Sequence, residues 1–539
     1  MPIGLNMVPN DLYLKISTIF LNITRCDCVK RRSVCYPNQT LSAFPSIQEL
    51  YICGLRLTQK VININTIHPS IKKAEYAVRG ALPIRAEELS KELKEGNSNM
   101  NFDKVVFCNI GNPQQLNQKP ITFFRQVASL CDYPDLLDPK NEEAVLKLYP
   151  EDAILRAKTL IHNIGSVGAY SHSKGVPYIR ENVARFIERR DGYKSNPEDI
   201  FLTQGASEGV QTVLQLITEN SKTGIMIPIP QYPLYSATLT LVDASPVPYY
   251  LNEEQGWSMD VNELERAVGE ARQNGIDVRA LVVINPGNPT GQCLSEENIR
   301  AIIQFCHKER IIILADEVYQ TNYYRPDHRP FHSFKKVLMS MHLSQELFSF
   351  HSISKGMIGE CGRRGGYFEC THIDPEVIEQ LYKVASISIC SNVQGQIMVD
   401  LMTNPPVKGD TSYPQYKAEV NAIYQSLSRR SDKLESCFNG LEGVTCNSAD
   451  GAMYLFPRIS LPRRAIEAAK EANMQPDAFY AMAMLEETGV CVVPGSGFGQ
   501  EPGTYHFRST FLPEEQLFDQ FCHSLEKFHS SFMDKYRDE

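Results

Sequence analysis

A lysine set among small residues, Ser352-Ile353-Ser354-Lys355-Gly356, directly follows an apolar run from Leu347 to Phe350. Strand-then-loop placement holds an amine near the rim of a sheet, where it can form a Schiff base with a carbonyl. Read alone, the segment is as readily a surface lysine, so its meaning depends on the other polar residues. Asp316 ends the run Ile311 to Ala315, and a carboxylate there is costly to bury without a cation that also donates a hydrogen bond. Glu317, next along, would point the other way and serve structure. Asn288 lies in Asn285-Pro286-Gly287-Asn288-Pro289, which cannot continue a strand. Singly this is a tight turn, but its amide and the Tyr319 hydroxyl could donate to one phenolic oxygen. Gly205-Ala206-Ser207 opens a helical stretch, Glu208 to Ile217, presenting free amides at the positive end of a helix dipole to a phosphate. Ser352, Ser354 and Arg364 are further donors. Tyr232, otherwise a core tyrosine, could stack on a flat ring. Arg508, on a strand-like segment from Thr504, offers a planar fork suited to a substrate carboxylate. An amine, a carboxylate for a ring nitrogen, phenolic-oxygen donors, a phosphate cradle and an aromatic face together describe a site for pyridoxal phosphate.

The elements that must position these residues follow from the periodicity. From about Asp199 to Cys370 short apolar runs, loops rich in Gly, Pro, Ser or Asn, and helical stretches alternate, which predicts βα units and a mostly parallel sheet. The runs are Ile200 to Thr203, Gly224 to Ile229, Leu281 to Ile284, Ile311 to Ala315, Leu347 to Phe350 and Gly366 to Phe368. The chemistry-bearing loops each come just after a strand, and ligands of open α/β sheets bind outside the carboxyl ends of strands. A breaker-rich stretch, Asn404 to Asp410, precedes a helix on which Tyr416, Val420, Ile423, Leu427 and Leu434 keep helical spacing. The expected organisation is an N-terminal extension (1–64), a first part of a small α+β domain with a dimer arm (65–147), a large cofactor-binding α/β domain (148–410) and the rest of the small domain (411–539).

With 539 residues, 42% of them apolar, the chain exceeds one ordinary core. Its 54 basic and 63 acidic side chains give a formal charge of -9, which offers polyanions no broad attraction, so nucleic acid is not an expected partner. Apolar runs are all broken well short of a bilayer span, so neither is a membrane. Fifteen cysteines without a Cys-x-x-Cys pair fit a reducing compartment. The apolar stretch Leu12 to Ile23 and the basic run Lys30-Arg31-Arg32 fit either a mitochondrial presequence or a disordered extension; Asp11 and Asp27 argue against the former. Cytoplasm and mitochondrial matrix both stay open.

In this order the motifs resemble those of fold-type I, aspartate aminotransferase-like enzymes, and the resemblance narrows to the alanine aminotransferase family over roughly Pro69 to His529. It is carried by Ile110-Gly111-Asn112-Pro113-Gln114, IPIPQYPLYSATL from Ile227, NPGNPTGQ from Asn285, ADEVYQ from Ala315, SKGMIGECGRRGGY from Ser354 and CVVPGSGFGQ from Cys491. The resemblance implies transfer of amino groups between L-alanine/pyruvate and L-glutamate/2-oxoglutarate. Lys355 would be the Schiff-base lysine and proton shuttle, Asp316 the partner of the pyridine nitrogen, Asn288 and Tyr319 the partners of the phenolic oxygen. Tyr232 would stack on the ring, with Ala206, Ser207, Ser352 and Arg364 at the phosphate. Arg508 would take the substrate's α-carboxylate, with Gly111 closing over it through its backbone and Asn288 beside it. Tyr170 resembles the tyrosine that reaches a neighbouring subunit's phosphate, which implies a homodimer with shared sites; no metal is expected. Among enzymes of this fold the alternatives are another transaminase or a carbon-sulfur lyase. A remote one is a serine hydrolase, since Gly205-Ala206-Ser207-Glu208-Gly209 fits a nucleophile elbow with His351 or His506 as base. The glycines from Gly495 to Gly499 are read as a turn.

Overall fold

Side chains alternate across a strand, so runs apolar at every position are buried on both faces. The computed structural model shows this in a seven-stranded sheet. Its strands in chain order are β1 (Ile200–Thr203), β2 (Thr223–Ile229), β3 (Ser245–Tyr250), β4 (Asp277–Ile284), β5 (Ile312–Asp316), β6 (Leu347–Ser352) and β7 (Gly366–Thr371). The order across the sheet is β1-β7-β6-β5-β4-β2-β3, with β7 antiparallel to both neighbours and the other pairs parallel. On one face Val282 and Ile284 pack with Leu314, Phe348, Phe350 and Phe368. On the other, Leu281 and Val283 meet Ile302, Ile303, Ile313 and Ala315. Strand β3 is absent from the apolar runs read above because Pro246 and Pro248 interrupt its pattern. It lies at the sheet edge, where a missing N–H costs no ladder bond.

The described residues are 60–76, 80–96 and 100–537, so the stretch weighed as a presequence lies outside them. The chain divides into two compact units, 1–72 and 73–539. In the first, the described residues carry a hydrogen-bonded turn at Asn63 to Thr66 and the start of the short helix Pro69–Lys73.

Within the second unit a three-stranded antiparallel sheet joins Tyr454–Leu455, Phe507–Thr510 and Val493–Pro494. Helices Pro476–Thr488 and Phe518–Tyr536 supply Tyr480, Phe528 and Phe532 to its core. Val106–Phe107 pairs in parallel with Val490–Cys491. The spacing read around Tyr416 becomes one long helix, Tyr413–Asn439, whose first turns pack against the core that includes Phe124 and Ile397, while Leu427, Leu434 and Phe438 enter the core around Tyr480. Among the described residues no helix is long and apolar enough to cross a membrane, and the cysteines are free thiols.

Candidate active site

The parity of strand β5 sets the polarity of the site. Leu314 and Asp316 share the face packed by phenylalanines, where Tyr235, from helix Leu234–Val242, donates to Asp316 Oδ2 at 2.8 Å. Burial pushes the Asp316 carboxyl up to about 6, against the opposing pull of Tyr235, the Val318 amide and the Lys355 ammonium. A cation brought to its free side would hold it ionised. Glu317 falls on the opposite face and accepts from the Phe334 amide at 2.8 Å.

Lys355 stands in the loop after β6, and its Nζ donates to the Gly111 carbonyl at 2.6 Å. The loop is pinned from outside: Arg125 makes a two-pronged bond to Glu360, at 2.8 and 3.0 Å, and the Glu360 amide returns to Ile353 O at 2.9 Å. Gly111 must be glycine at this approach, because a methyl there would overlap the Tyr454 hydroxyl and come within 3.1 Å of Lys355 Nζ.

The anion corner lies at the start of helix Ala206–Ile217, capped by Gly205 at φ 84°. Arg364, itself left-handed at φ 52°, sends its guanidinium across to Gln204 O at 3.0 Å and Ser354 Oγ at 3.3 Å. A side chain at Gly205 would come within 2.6 Å of that guanidinium. Helix amides, two serine hydroxyls and an arginine thus converge where a phosphate would need them.

Gly111, Ala206, Ser207, Tyr232, Asn288, Asp316, Tyr319, Ser352, Ser354, Lys355 and Arg364 line one cavity of about 410 Å³, a volume suited to a small cofactor. The donor set fits pyridoxal phosphate at each of its polar ends: cationic and amide donors for the phosphate, a buried carboxylate for the ring nitrogen, Asn288 and Tyr319 for the phenolic oxygen, an amine for the carbonyl. Arg508 is not part of the lining but lies just behind it, with Nη1 donating to Asn288 Oδ1 at 3.0 Å and Nη2 to the Asn109 carbonyl. It is 1% exposed, and its Nε has no partner. Tyr170 is apart from this cavity and 78% exposed.

The hydrolase alternative loses its base. His506 is engaged with Gln500 at 3.0 Å and Glu253 at 3.3 Å, and His351 is buried among aromatic rings with neither nitrogen partnered. Neither bonds Ser207. Gly495–Phe498 forms a 3₁₀ turn. Among the described residues no group of three or more His, Cys, Asp or Glu could hold a metal ion.

Three tyrosines escaped the sequence reading. Tyr235 supports Asp316; Tyr76 lines the cavity and shares a 2.7 Å hydrogen bond with Tyr232. Tyr454 packs its ring against Arg508, whose guanidinium carbon lies 4.3 Å from the ring centre. Tyr235 and Tyr454 lie in apolar segments and read as core residues, and Tyr76 follows the charged stretch Lys72-Lys73-Ala74-Glu75; the meaning of all three comes from contacts distant in sequence.

The sequence profile described as aminotransferase class I and II matches residues 140–525. A mitochondrial alanine aminotransferase 2 of Arabidopsis thaliana is 51% identical over 481 residues, 88% of each chain. A glutamate–glyoxylate aminotransferase 2 of the same plant is 51% identical over 487 residues, 89% of this chain and 98% of the relative. The solved alanine aminotransferase from Pyrococcus furiosus has the same fold, with a TM-score of 0.67 at 22% identity, covering 86% of this chain and 100% of that one. With a family profile spanning most of its length and relatives at half identity, the chain belongs to the class I and II aminotransferases.

Proposed function

We propose that the chain is a pyridoxal-phosphate-dependent alanine:2-oxoglutarate aminotransferase. The observation that carries this reading is the convergence, in one cavity, of Lys355, Asp316 and the anion corner formed by Ser207, Ser354 and Arg364. Pyridoxal phosphate, when bound, supplies a carbonyl that condenses with amines and a protonated ring that withdraws electrons from the substrate's α-carbon. Asp316 keeps the ring nitrogen protonated. Asn288 and Tyr319 donate to the phenolic oxygen, and Arg508 orients the α-carboxylate so that the α-proton faces Lys355. With the substrate's amine in its place on the cofactor's carbonyl, Lys355 Nζ would be free to take that proton and to return it to the carbon two atoms along, on the far side of the nitrogen. Tyr76 holds the Tyr232 hydroxyl in the lining of the same cavity.

Alanine offers no side-chain handle, so the choice of substrate rests on the Arabidopsis relative's name. The equal identity to the glutamate–glyoxylate enzyme supports glyoxylate as a second acceptor. Exposure of Tyr170 away from its own cavity supports a homodimer in which that tyrosine serves the neighbouring site. The mitochondrial relative favours that compartment over the cytoplasm.

The test is an absorbance spectrum of the holoenzyme before and after L-alanine. A change in the cofactor band with release of pyruvate, reversed by 2-oxoglutarate with formation of glutamate, is expected. Reversal by glyoxylate alone would select the second acceptor. A cofactor band unmoved by L-alanine would overturn the substrate assignment, and failure of the protein to take up pyridoxal phosphate would overturn the reading as a whole.

A further inference from the structure

Tyr454 stands at the junction of the two halves of the site. In the three-stranded sheet it pairs with Thr510, and Arg508, two residues along on the same face, is its diagonal neighbour, close enough for long side chains to meet. The Arg508 guanidinium is clasped between two rings, 4.3 Å from the centre of Tyr454 and 4.7 Å from that of Phe498. Fully buried, with Nη1 and Nη2 held by Asn288 and Asn109, the arginine is fixed in plane by those bonds and in tilt by the rings. The other end of the same tyrosine meets residues of the cavity wall. Its hydroxyl lies 3.0 Å from that of Tyr319, with the rings edge to face at 87°, and it abuts Gly111 beside Lys355.

We propose that Tyr454 is a positioning residue of the transfer reaction, its ring face holding Arg508 for the substrate carboxylate and its hydroxyl donating to Tyr319 so that the Tyr319 proton points at the cofactor's phenolic oxygen. The direction of that hydrogen bond follows from the role given to Tyr319: its single proton is committed to the phenolic oxygen, so across the 3.0 Å contact between the two hydroxyls Tyr454 is the donor. One side chain therefore links the group that binds substrate to the group that tunes the cofactor. The inference rests on pyridoxal phosphate occupying the cavity.

Two variants separate the roles. Tyr454→Phe keeps the ring and removes the donor; Tyr454→Leu removes both. Spectrophotometric pH titration of each holoenzyme reads the protonation of the Lys355–cofactor linkage, and steady-state kinetics reads KM for L-alanine. For Tyr454→Phe the titration midpoint is expected to rise by about one pH unit, the scale of one hydrogen bond, with KM within about threefold of the parent. For Tyr454→Leu the midpoint is expected to rise similarly and KM to rise about tenfold or more, the scale of a desolvated cation–π contact. A Tyr454→Phe midpoint equal to the parent's would overturn the hydroxyl's role, and a parent-like KM in Tyr454→Leu would overturn the ring's. A parent holoenzyme without any lysine-linked cofactor band would instead remove the reading beneath the proposal.

Discussion

Asp316 and Glu317 are adjacent, yet they enter two different buried polar regions on opposite faces of one sheet. In front, Asp316, Lys355 and Arg364 point into a cavity with room for a ligand that would complete their charges. Behind, the charges meet one another. Arg190 makes a two-pronged bond to Asp191, at 2.7 and 2.6 Å, and lies 3.9 Å from Glu317; Lys335 pairs with Glu369, which also accepts from Ser195. Two cations, Arg190 and Lys335, face three carboxylates, Asp191, Glu317 and Glu369. Burial pushes the Glu317 carboxyl up to about 8, which removes the odd charge near neutral pH. His351, on the same face, is held by burial at about 3 and stays neutral. Buried polar groups thus mark function where their unmet demand faces a cavity; behind the sheet the cations and carboxylates pair among themselves, with Glu317 Oε2, Glu369 Oε2 and both His351 nitrogens left without hydrogen-bond partners.

The sharpest break of this comparison is between two lysines. Lys355→Ala should lower turnover by about a thousandfold or more, with chemical stability of the cofactor-free protein near the parent's. Lys335→Met should do the reverse. It leaves Glu369 buried without its cation and should cost about 3–5 kcal/mol of stability, read by urea denaturation, while turnover per folded molecule stays within about twofold. Comparable losses of turnover in both variants would erase the division between front and back.

Arg508→Ala probes how far the front region extends beyond the cavity. Truncating a buried charge that anchors a carboxylate is expected to raise KM for L-alanine and L-glutamate by about thirtyfold or more. Affinity for pyridoxal phosphate, measured by titration of the cofactor-free protein, should change by about threefold or less. Equal losses of cofactor and substrate affinity would place Arg508 with the cofactor groups instead.

The front region was more legible in the sequence than the back for a physical reason. Strand-end loops carry Gly, Pro, Ser and Asn because the backbone turns there and approaches a ligand closely, so Gly205, Asn288 and Lys355 stand out against apolar strands. The parity that sends Asp316 and Glu317 apart was readable too. The polar groups behind the sheet are spread over distant elements: Arg190 from helix Pro177–Asp191, Lys335 from helix Phe334–Met341, and Glu369 from β7. No spacing links them. Tyr235 and Tyr454 were hidden for a related reason, since a hydroxyl on an otherwise buried ring has no meaning until its partner is placed. Strand β3 was hidden by prolines that only an edge position tolerates.

Glu317 gives the finest test of the contrast, through pH. Its folded-state value of about 8 lies above the ordinary 4.5, so between those two pH values the folded chain holds this proton more tightly than the unfolded chain does. Stability contributed by the group is therefore complete below about 4.5 and declines as pH rises toward 8, where the buried carboxylate must ionise. Glutamine has no proton to lose and can still accept from the Phe334 amide. Glu317→Gln should accordingly match the parent near pH 5 and gain on it steadily up to about pH 8.5, in urea midpoints taken at several pH values across that window. Turnover should be unchanged at each pH, because the side chain points away from the cavity. A stability difference that stays constant with pH would mean that Glu317 is ionised throughout and paired with Arg190. A shift in the activity profile would mean that the two faces of the sheet communicate, and the proton behind it would then belong to the chemistry in front.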